Sequence, residues 1–283
     1  MSFLGYKREN GWYGTRNFVG IISLGSCTND PARDIAEMVV GTVYLGQDTA
    51  CQNGAADEVI YYRTMANIGK NPNLAAVLLV GPTCECINSS RIREEIETTG
   101  KRVEWVSIHD EGGVIGCIGR GMRLAQEMVS EVSRIQPEWA DDKYLRLGLT
   151  CGGSTPLREV VPYGARPEGK GLFFIDAPGN DLACMLSLVA AGCNVISYST
   201  ESCCPYGVPF VPVIKVTCND THLEQYSDML DYCVDTDMAV TDLDAAGAAF
   251  YQKVLSVASG EMTKNEIIKY YNTNRILNVN PMA

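Results

Sequence analysis

Short apolar runs and longer amphipathic stretches alternate along this chain. Apolar runs at residues 18–24, 42–45, 74–80, 103–108 and 145–149 are separated by segments with helical spacing. That rhythm predicts parallel strands joined by crossover helices. The run at 74–80 has no polar face, as a strand covered on both sides requires. Helices are expected at 30–40, where Asp30 caps and Pro31 takes the first helical position, and at 55–68, 90–99 and 114–135. Residues 5–17, punctuated by Gly5, Gly11 and Gly14, read as an entry loop. A stretch rich in Pro, Gly and charge at 155–170 reads as a linker. Beyond it, strands at 171–175, 194–198 and 212–216 and helices at 180–192, 222–233, 242–259 and 264–271 suggest a second unit. The predicted fold class is α/β, with mostly parallel, Rossmann-like sheets and helices on both faces. The predicted units are an N-terminal one over 1–154 and a C-terminal one with a helical tail over 171–283.

Charge narrows the partners. With 23 Lys and Arg against 34 Asp and Glu, the formal net charge is −11, which argues against nucleic acid and against an anionic membrane surface. No apolar run approaches the roughly 18–20 residues of a membrane span. The first residues lack the apolar core of a signal peptide, which predicts a cytoplasmic location.

In that compartment twelve cysteines are not expected to form disulfides. Cys117, Cys184, Cys193 and Cys233 sit within apolar or helical runs and read as small buried hydrophobes. Cys27, Cys51, Cys84 and Cys151 differ, because each follows an apolar strand and stands beside Gly, Asn or Glu. Open parallel sheets bind ligands outside the carboxyl ends of their strands. The expectation is that these four thiols meet at one sheet edge and hold iron, as a 4Fe-4S cluster or as Fe(II) with mixed ligands. Buried thiols at strand ends are the competing reading. His109, Asp176, Cys203, Cys204 and Cys218 leave strand ends on the same predicted rim. The absence of a C-x2-C pair argues against a zinc ribbon. The glycines at 112, 113, 116, 119 and 121 do not follow the dinucleotide order G-x-G-x-x-G.

Gly5-Tyr6, Arg8, Gly11 and Gly14-Thr15-Arg16-Asn17 together resemble the opening of the catalytic region of the altronate dehydratase/galactarate dehydratase family, which also contains sulfolactate sulfo-lyase. The resemblance continues at Cys27, Cys51, Asn71-Pro72-Asn73, Cys84-Glu85, Gly112-Gly113 and Cys151-Gly152-Gly153-Ser154. It resumes from Gly171-Leu172 to Pro178-Gly179 and at Ala191-Gly192, Pro212 to Val216, Asn219, Ser259-Gly260, Thr263-Lys264 and Glu266. Two departures stand out. The family's segment after C-G-G-S-D is replaced by Thr155-Pro156 and a short passage to the C-terminal unit, and its turn after Thr200 is replaced by Glu201-Ser202-Cys203-Cys204-Pro205.

The resemblance implies elimination of water, or of another β-leaving group, from a sugar acid or short hydroxy acid. It also implies a partner, since the family pairs this region with a small SAF-type domain; a separate small subunit is expected, with the chain itself a homo-oligomer. Such chemistry needs a base at the proton α to the carboxylate, positive charge or metal at the enolate, and help for the leaving group. Glu85 and His109 are the candidate catalytic groups. Arg16, with Asn17, is a candidate to grip the substrate carboxylate, against the alternative that Arg16 ties down its own loop. Gly152, Gly153 and Ser154 suit an anion-binding nest. Two other readings stand beside the lyase: a non-catalytic or regulatory metal-binding subunit, and a redox protein using Cys203-Cys204.

Overall fold

The first sheet is assembled from strands whose two faces are both apolar. The computed structural model describes residues 1–47, 55–82, 87–150, 160–200, 204–271 and 276. A hairpin of β1 (Ser2–Lys7) and β2 (Tyr13–Gly14) opens the chain. Then come β3 (Phe18–Ser23), α1 (Asn29–Met38), β4 (Thr42–Leu45), α2 (Ala55–Gly69), β5 (Leu74–Gly81), α3 (Ser89–Glu97), β6 (Val103–Ser107) and α4 (Val114–Val132). The four strands β3 to β6 form a parallel sheet in the order β4-β3-β5-β6. On β5, Ala76, Leu78 and Val80 point into one core with Ile35 of α1 and Leu124, Ala125 and Met128 of α4. Val77 and Leu79 point the other way, onto Tyr61, Met65 and Ile68 of α2 and Ile92 and Ile96 of α3. This alternation is the period of two expected of a strand buried on both faces.

Next, β7 (Glu138–Asp141) returns antiparallel to β1. It is followed by β8 (Leu147–Thr150), β9 (Val160–Val161), β10 (Phe174–Ile175), α5 (Asp181–Ala190), β11 (Val195–Ser199), β12 (Val213–Thr217), α6 (Asp220–Gln225), β13 (Tyr232–Cys233), α7 (Thr236–Thr241), α8 (Leu243–Ala258) and α9 (Lys264–Ile268). The second parallel sheet runs β13-β12-β11-β8. One face packs on α5 within the core that also holds α2 and α3. The other, through Val195, Ile214 and Val216, packs on Val254, Leu255, Val257 and Ala258 of α8, with Phe3 of β1 joining them. The layers are therefore α1 and α4, first sheet, shared helices, second sheet, α8.

Four expectations are corrected. The entry loop contains β1 and β2; the glycines hid a strand whose partner β7 is more than 130 residues away. The run at 145–149 reads as part of the N-terminal unit, yet β8 pairs in parallel with β11 and belongs to the second sheet. The end of the presumed linker is structured: β9 pairs with β10, and Val161 and Tyr163 are buried. The helix expected over 222–233 ends at Gln225, and Cys233 lies in β13.

The entry edges of the two sheets are clamped by side-chain amides. Asn71 Nδ2 donates to the carbonyls of Val189 (3.0 Å) and Cys193 (2.9 Å). Asn73 Nδ2 donates to Asn194 O (3.0 Å) and Phe210 O (2.9 Å), and its Oδ1 accepts from Thr15 N (2.8 Å). The C-terminal ends of α2 and α5 thus meet at this edge, and the two helices pack together. A crossover helix runs against its strands, so the strand exits of both sheets open on the opposite, common side. The clamp tolerates no added bulk: a Cβ on Gly14 would stand 2.2 Å from Pro72 O and 2.8 Å from Arg16 O. Gly14→Ala is expected to cost about 1–3 kcal/mol through the backbone shift it forces, read as a lower urea midpoint with unchanged slope.

Candidate active site

At the exits of the first sheet, the chain order reverses between β3 and β5: β3 hands over to α1 on one face and β5 to α3 on the other. Such a reversal leaves a crevice. Residues 26–28 form a single 3-10 turn beside it, with Cys27 exposed and Thr28 buried. The Thr28 hydroxyl is 2.8 Å from Ser23 Oγ and 3.2 Å from Val80 O, so the turn is fastened to both β3 and β5. Asn29 and Gln47 exchange hydrogen bonds of 2.9 and 3.2 Å, which fastens the exit of β4 to the same place. Tyr61 donates to Leu24 O at 2.5 Å, and Tyr62 accepts from Asn88 N at 2.6 Å. Burial pushes the Tyr61 phenol up, with neighbouring Tyr62 and Cys27 adding to the effect. A Cβ on Gly25 would lie 3.4 Å from the Cys27 sulfur and 3.8 Å from Ile87, so that thiol and the residue just past 83–86 flank one point.

Cys51, Cys84 and Glu85 lie outside the described residues; they follow Gln47 and Pro82 in sequence. Cys151, Gly152, Gly153 and Ser154 also lie outside them, following Thr150 of β8. The topology alters the expected rim: Cys27, Cys51 and Cys84 belong to segments leaving the first sheet, whereas Cys151 belongs to one leaving the second. His109 is exposed in the turn after β6, an edge strand. It stands two strands away from β3, about 10 Å at the usual strand spacing.

Arg16 and Asn17 are placed at the wrong end of the sheet for the expected role. They precede β3, and the strand separates them from Cys27 by about 20 Å at 3.3 Å per residue. Arg16 does grip a carboxylate, but it is that of Glu266, through Nε (2.7 Å) and Nη2 (2.8 Å). Its remaining donors reach Thr15 O, Val257 O and Glu261 O. Asn17 accepts from Arg8 (2.8 Å) and donates to Val132 O (2.8 Å). Both residues are structural ties, because anything before a parallel strand starts on the edge opposite its exit.

The second sheet presents a polar cluster that the apolar pattern concealed. Asp181, first residue of α5, accepts from Cys204 Sγ at 3.4 Å, and the Tyr198 hydroxyl bonds to both. Asp181 and Tyr198 line a cavity of about 1390 Å³ with Thr150 and Cys184, whose Oγ1 and Sγ are 3.5 Å apart. The legible signal was a lone Tyr in an otherwise small and apolar strand, two residues before the turn at Thr200. Cys117 and Cys193 are buried as expected, and burial pushes their thiols up to about 11 and about 12, so neither is a reactive thiolate. Cys184 is only half-buried and faces the cavity.

Among the described residues, no three His, Cys, Asp or Glu side chains come together to hold a metal. The donor chemistry nevertheless suits a soft metal. Cys27 is an exposed thiol on a fixed turn, between exits whose next segments carry Cys51 and Cys84.

Comparison with known proteins assigns most of the chain to two family domains. Residues 5–133 match the second domain of the family described as D-galactarate dehydratase/altronate hydrolase, and residues 145–281 match the C-terminal domain of D-galactarate/altronate dehydratase. The chain belongs to the galactarate/altronate dehydratase family. The gap between the two family domains falls around β7, ahead of β8, in agreement with the sheet to which β8 belongs. The chain is 33% identical over 155 residues to the (2R)-sulfolactate sulfo-lyase subunit beta of Chromohalobacter salexigens, covering 54% of this chain and 39% of that one. It is 21% identical to the altronate dehydratase of Bacillus subtilis over 382 aligned positions, covering 94% of this chain and 75% of that one. It is 30% identical over 114 residues to the galactarate dehydratase (L-threo-forming) of Escherichia coli, covering 40% and 22%. The chain thus spans well under two thirds of the sulfo-lyase and of the galactarate dehydratase. The members of this dehydratase family that it matches are longer proteins. Among the described residues, no helix is long and apolar enough to cross a membrane.

Proposed function

We propose that this chain is a lyase that eliminates water, or another β-leaving group, from a sugar acid or short hydroxy acid. The observation that carries this reading is the membership of both halves in one dehydratase family, with the strand exits of both sheets opening on one side. In this reading Cys27, Cys51, Cys84 and Cys151 hold iron, as a 4Fe-4S cluster or Fe(II), across the mouth between the sheets. Bound there, iron would supply Lewis acidity toward a hydroxyl or carboxylate oxygen. Glu85 stands beside Cys84 as base or ligand, and His109 serves from the rim. Gly152, Gly153 and Ser154, next to Thr150, offer backbone amides and a hydroxyl to the substrate carboxylate. A small SAF-type subunit is a proposed partner; the relative named as a subunit beta supports an assembly of more than one kind of chain.

The test is anaerobic purification, iron and sulfide analysis, an absorption spectrum, and assays with galactarate, altronate and sulfolactate. Bound iron is expected, with turnover of at least one acid lost on chelation. Cys27→Ser is expected to lower iron content at least several-fold. A colourless, chelator-resistant protein with full turnover overturns the role of iron. Bound iron without turnover, alone or with a small partner, makes the chain a non-catalytic subunit.

A further inference from the structure

Resting on the lyase reading, we infer that Asp181 is the group that takes the proton α to the carboxylate of the hydroxy acid, held for that task by Tyr198 and Cys204 from the second sheet.

The first argument is position. Asn180 caps α5, its side chain accepting from Ala183 N at 3.2 Å, so Asp181 sits at the helix end opposite the asparagine clamp. That end faces the strand exits, on the side where Cys27 stands. Tyr198 is the next-to-last residue of β11, and Cys204 lies just past that strand's exit. Both Asp181 and Tyr198 reach the cavity whose wall includes Thr150, the residue immediately before Cys151-Gly152-Gly153-Ser154. A carboxylate here therefore has open space in front of it.

The second argument is how the carboxylate is held. Cys204 donates its S–H to Asp181 Oδ2, and the thiol is fixed in turn because Cys204 N donates to Thr200 Oγ1 at 3.0 Å. Tyr198 is 7% exposed, and burial pushes its phenol up, with the bonds to Cys204 and Asp181 reinforcing the shift; it stays protonated and donates. A carboxylate has about four lone-pair sites, so two donors orient it without exhausting its capacity to take a proton. Lys215 pairs with Tyr198 across β11 and β12 in parallel register, which places both on one sheet face, and it is fully buried.

The step balances without a further reagent. The Cα–H bond breaks and its proton passes to Asp181. The electron pair becomes the C=C bond, and the β C–O bond breaks with its pair on oxygen. The departing hydroxide collects the proton from Asp181 and leaves as water, restoring the carboxylate. The enol product tautomerises to a keto acid.

The experiment follows two signals from the anaerobically purified full chain in D2O by proton NMR: loss of substrate to product, and exchange of the substrate α-proton for deuterium. Galactarate, altronate and sulfolactate are the probes. Asp181→Asn is expected to lower both signals at least about 100-fold, with KM within a few-fold and iron content and melting temperature unchanged. Tyr198→Phe is expected to lower kcat less, with KM held. Asp181→Ser, also suited to a first helical turn, replaces the Asn variant if that one does not fold. Asp181→Asn with turnover and exchange near the wild-type rates overturns the assignment and leaves the lyase reading intact. Wild-type protein that exchanges the α-proton without elimination, an exchange lost in Asp181→Asn, upholds Asp181 and overturns the lyase reading. Wild-type protein that does neither overturns both.

Discussion

Glu266→Ala is expected to destabilise the protein by about 3–5 kcal/mol, the range for breaking a buried ion pair from one side. Arg16 and Glu266 keep only 9% and 7% of their side-chain surface exposed. The carboxylate also accepts from Thr263 N (2.9 Å) and Thr263 Oγ1 (3.1 Å), closing the capping box of α9. Removing it strands a buried guanidinium and uncaps that helix in one change. Glu266→Gln keeps the shape and one set of hydrogen bonds while deleting the charge, so it should lose less. Urea unfolding at neutral pH measures both. A loss under about 1 kcal/mol for the alanine variant would show that Arg16 finds water or another partner.

Asn73→Ala is expected to cost nearly as much, about 3–5 kcal/mol, by a different route. Asn73 is fully buried, and its amide joins the entry loop to two points of the second sheet. Each buried group left without a partner costs about 1–3 kcal/mol; Thr15 N and Phe210 O lose theirs, while Asn194 O keeps the Thr15 hydroxyl at 2.7 Å. The same amide helps couple the sheets, so its loss should also weaken cooperativity. Tryptophan fluorescence, which reads Trp12, Trp105 and Trp139, and far-ultraviolet circular dichroism should then give separated midpoints where the wild type gives one. Coincident midpoints at the wild-type position would show that the shared helical core alone couples the halves.

Much of the fold is legible in the apolar runs. The stretch at 74–80 reads as a strand covered on both faces, and β5 divides its side chains between two cores. The helix capped by Asn180 forms as expected because the cap and the apolar face agree. What the runs do not carry is pairing over long distances. Nothing local in residues 2–7 indicates a partner at 138–141, and nothing local in 147–150 indicates which sheet it joins. The position of Cys27 is legible because it depends on strand direction: it is exposed at an exit. The motif around Arg16 suggests chemistry, but its position before a strand puts it at the far edge, where it pairs with Glu266. Asn71-Pro72-Asn73, noted only as part of a resemblance, proves to be the joint between the sheets. The cluster at Asp181 is not legible in the sequence, because hydrogen bonding between a helix start, a strand end and a loop has no signature in residue spacing.

The pair between Arg16 and Glu266 spans 250 residues. A ribosome adding about 5–20 residues per second therefore makes the arginine some 12–50 s before the glutamate exists. For most of that interval β1 also lacks α8 (Leu243–Ala258), which covers it in the finished protein. The nascent chain must carry an uncovered β1 and an unneutralised cation until residue 266 has been added, which makes residues 2–16 a natural holding point for a chaperone.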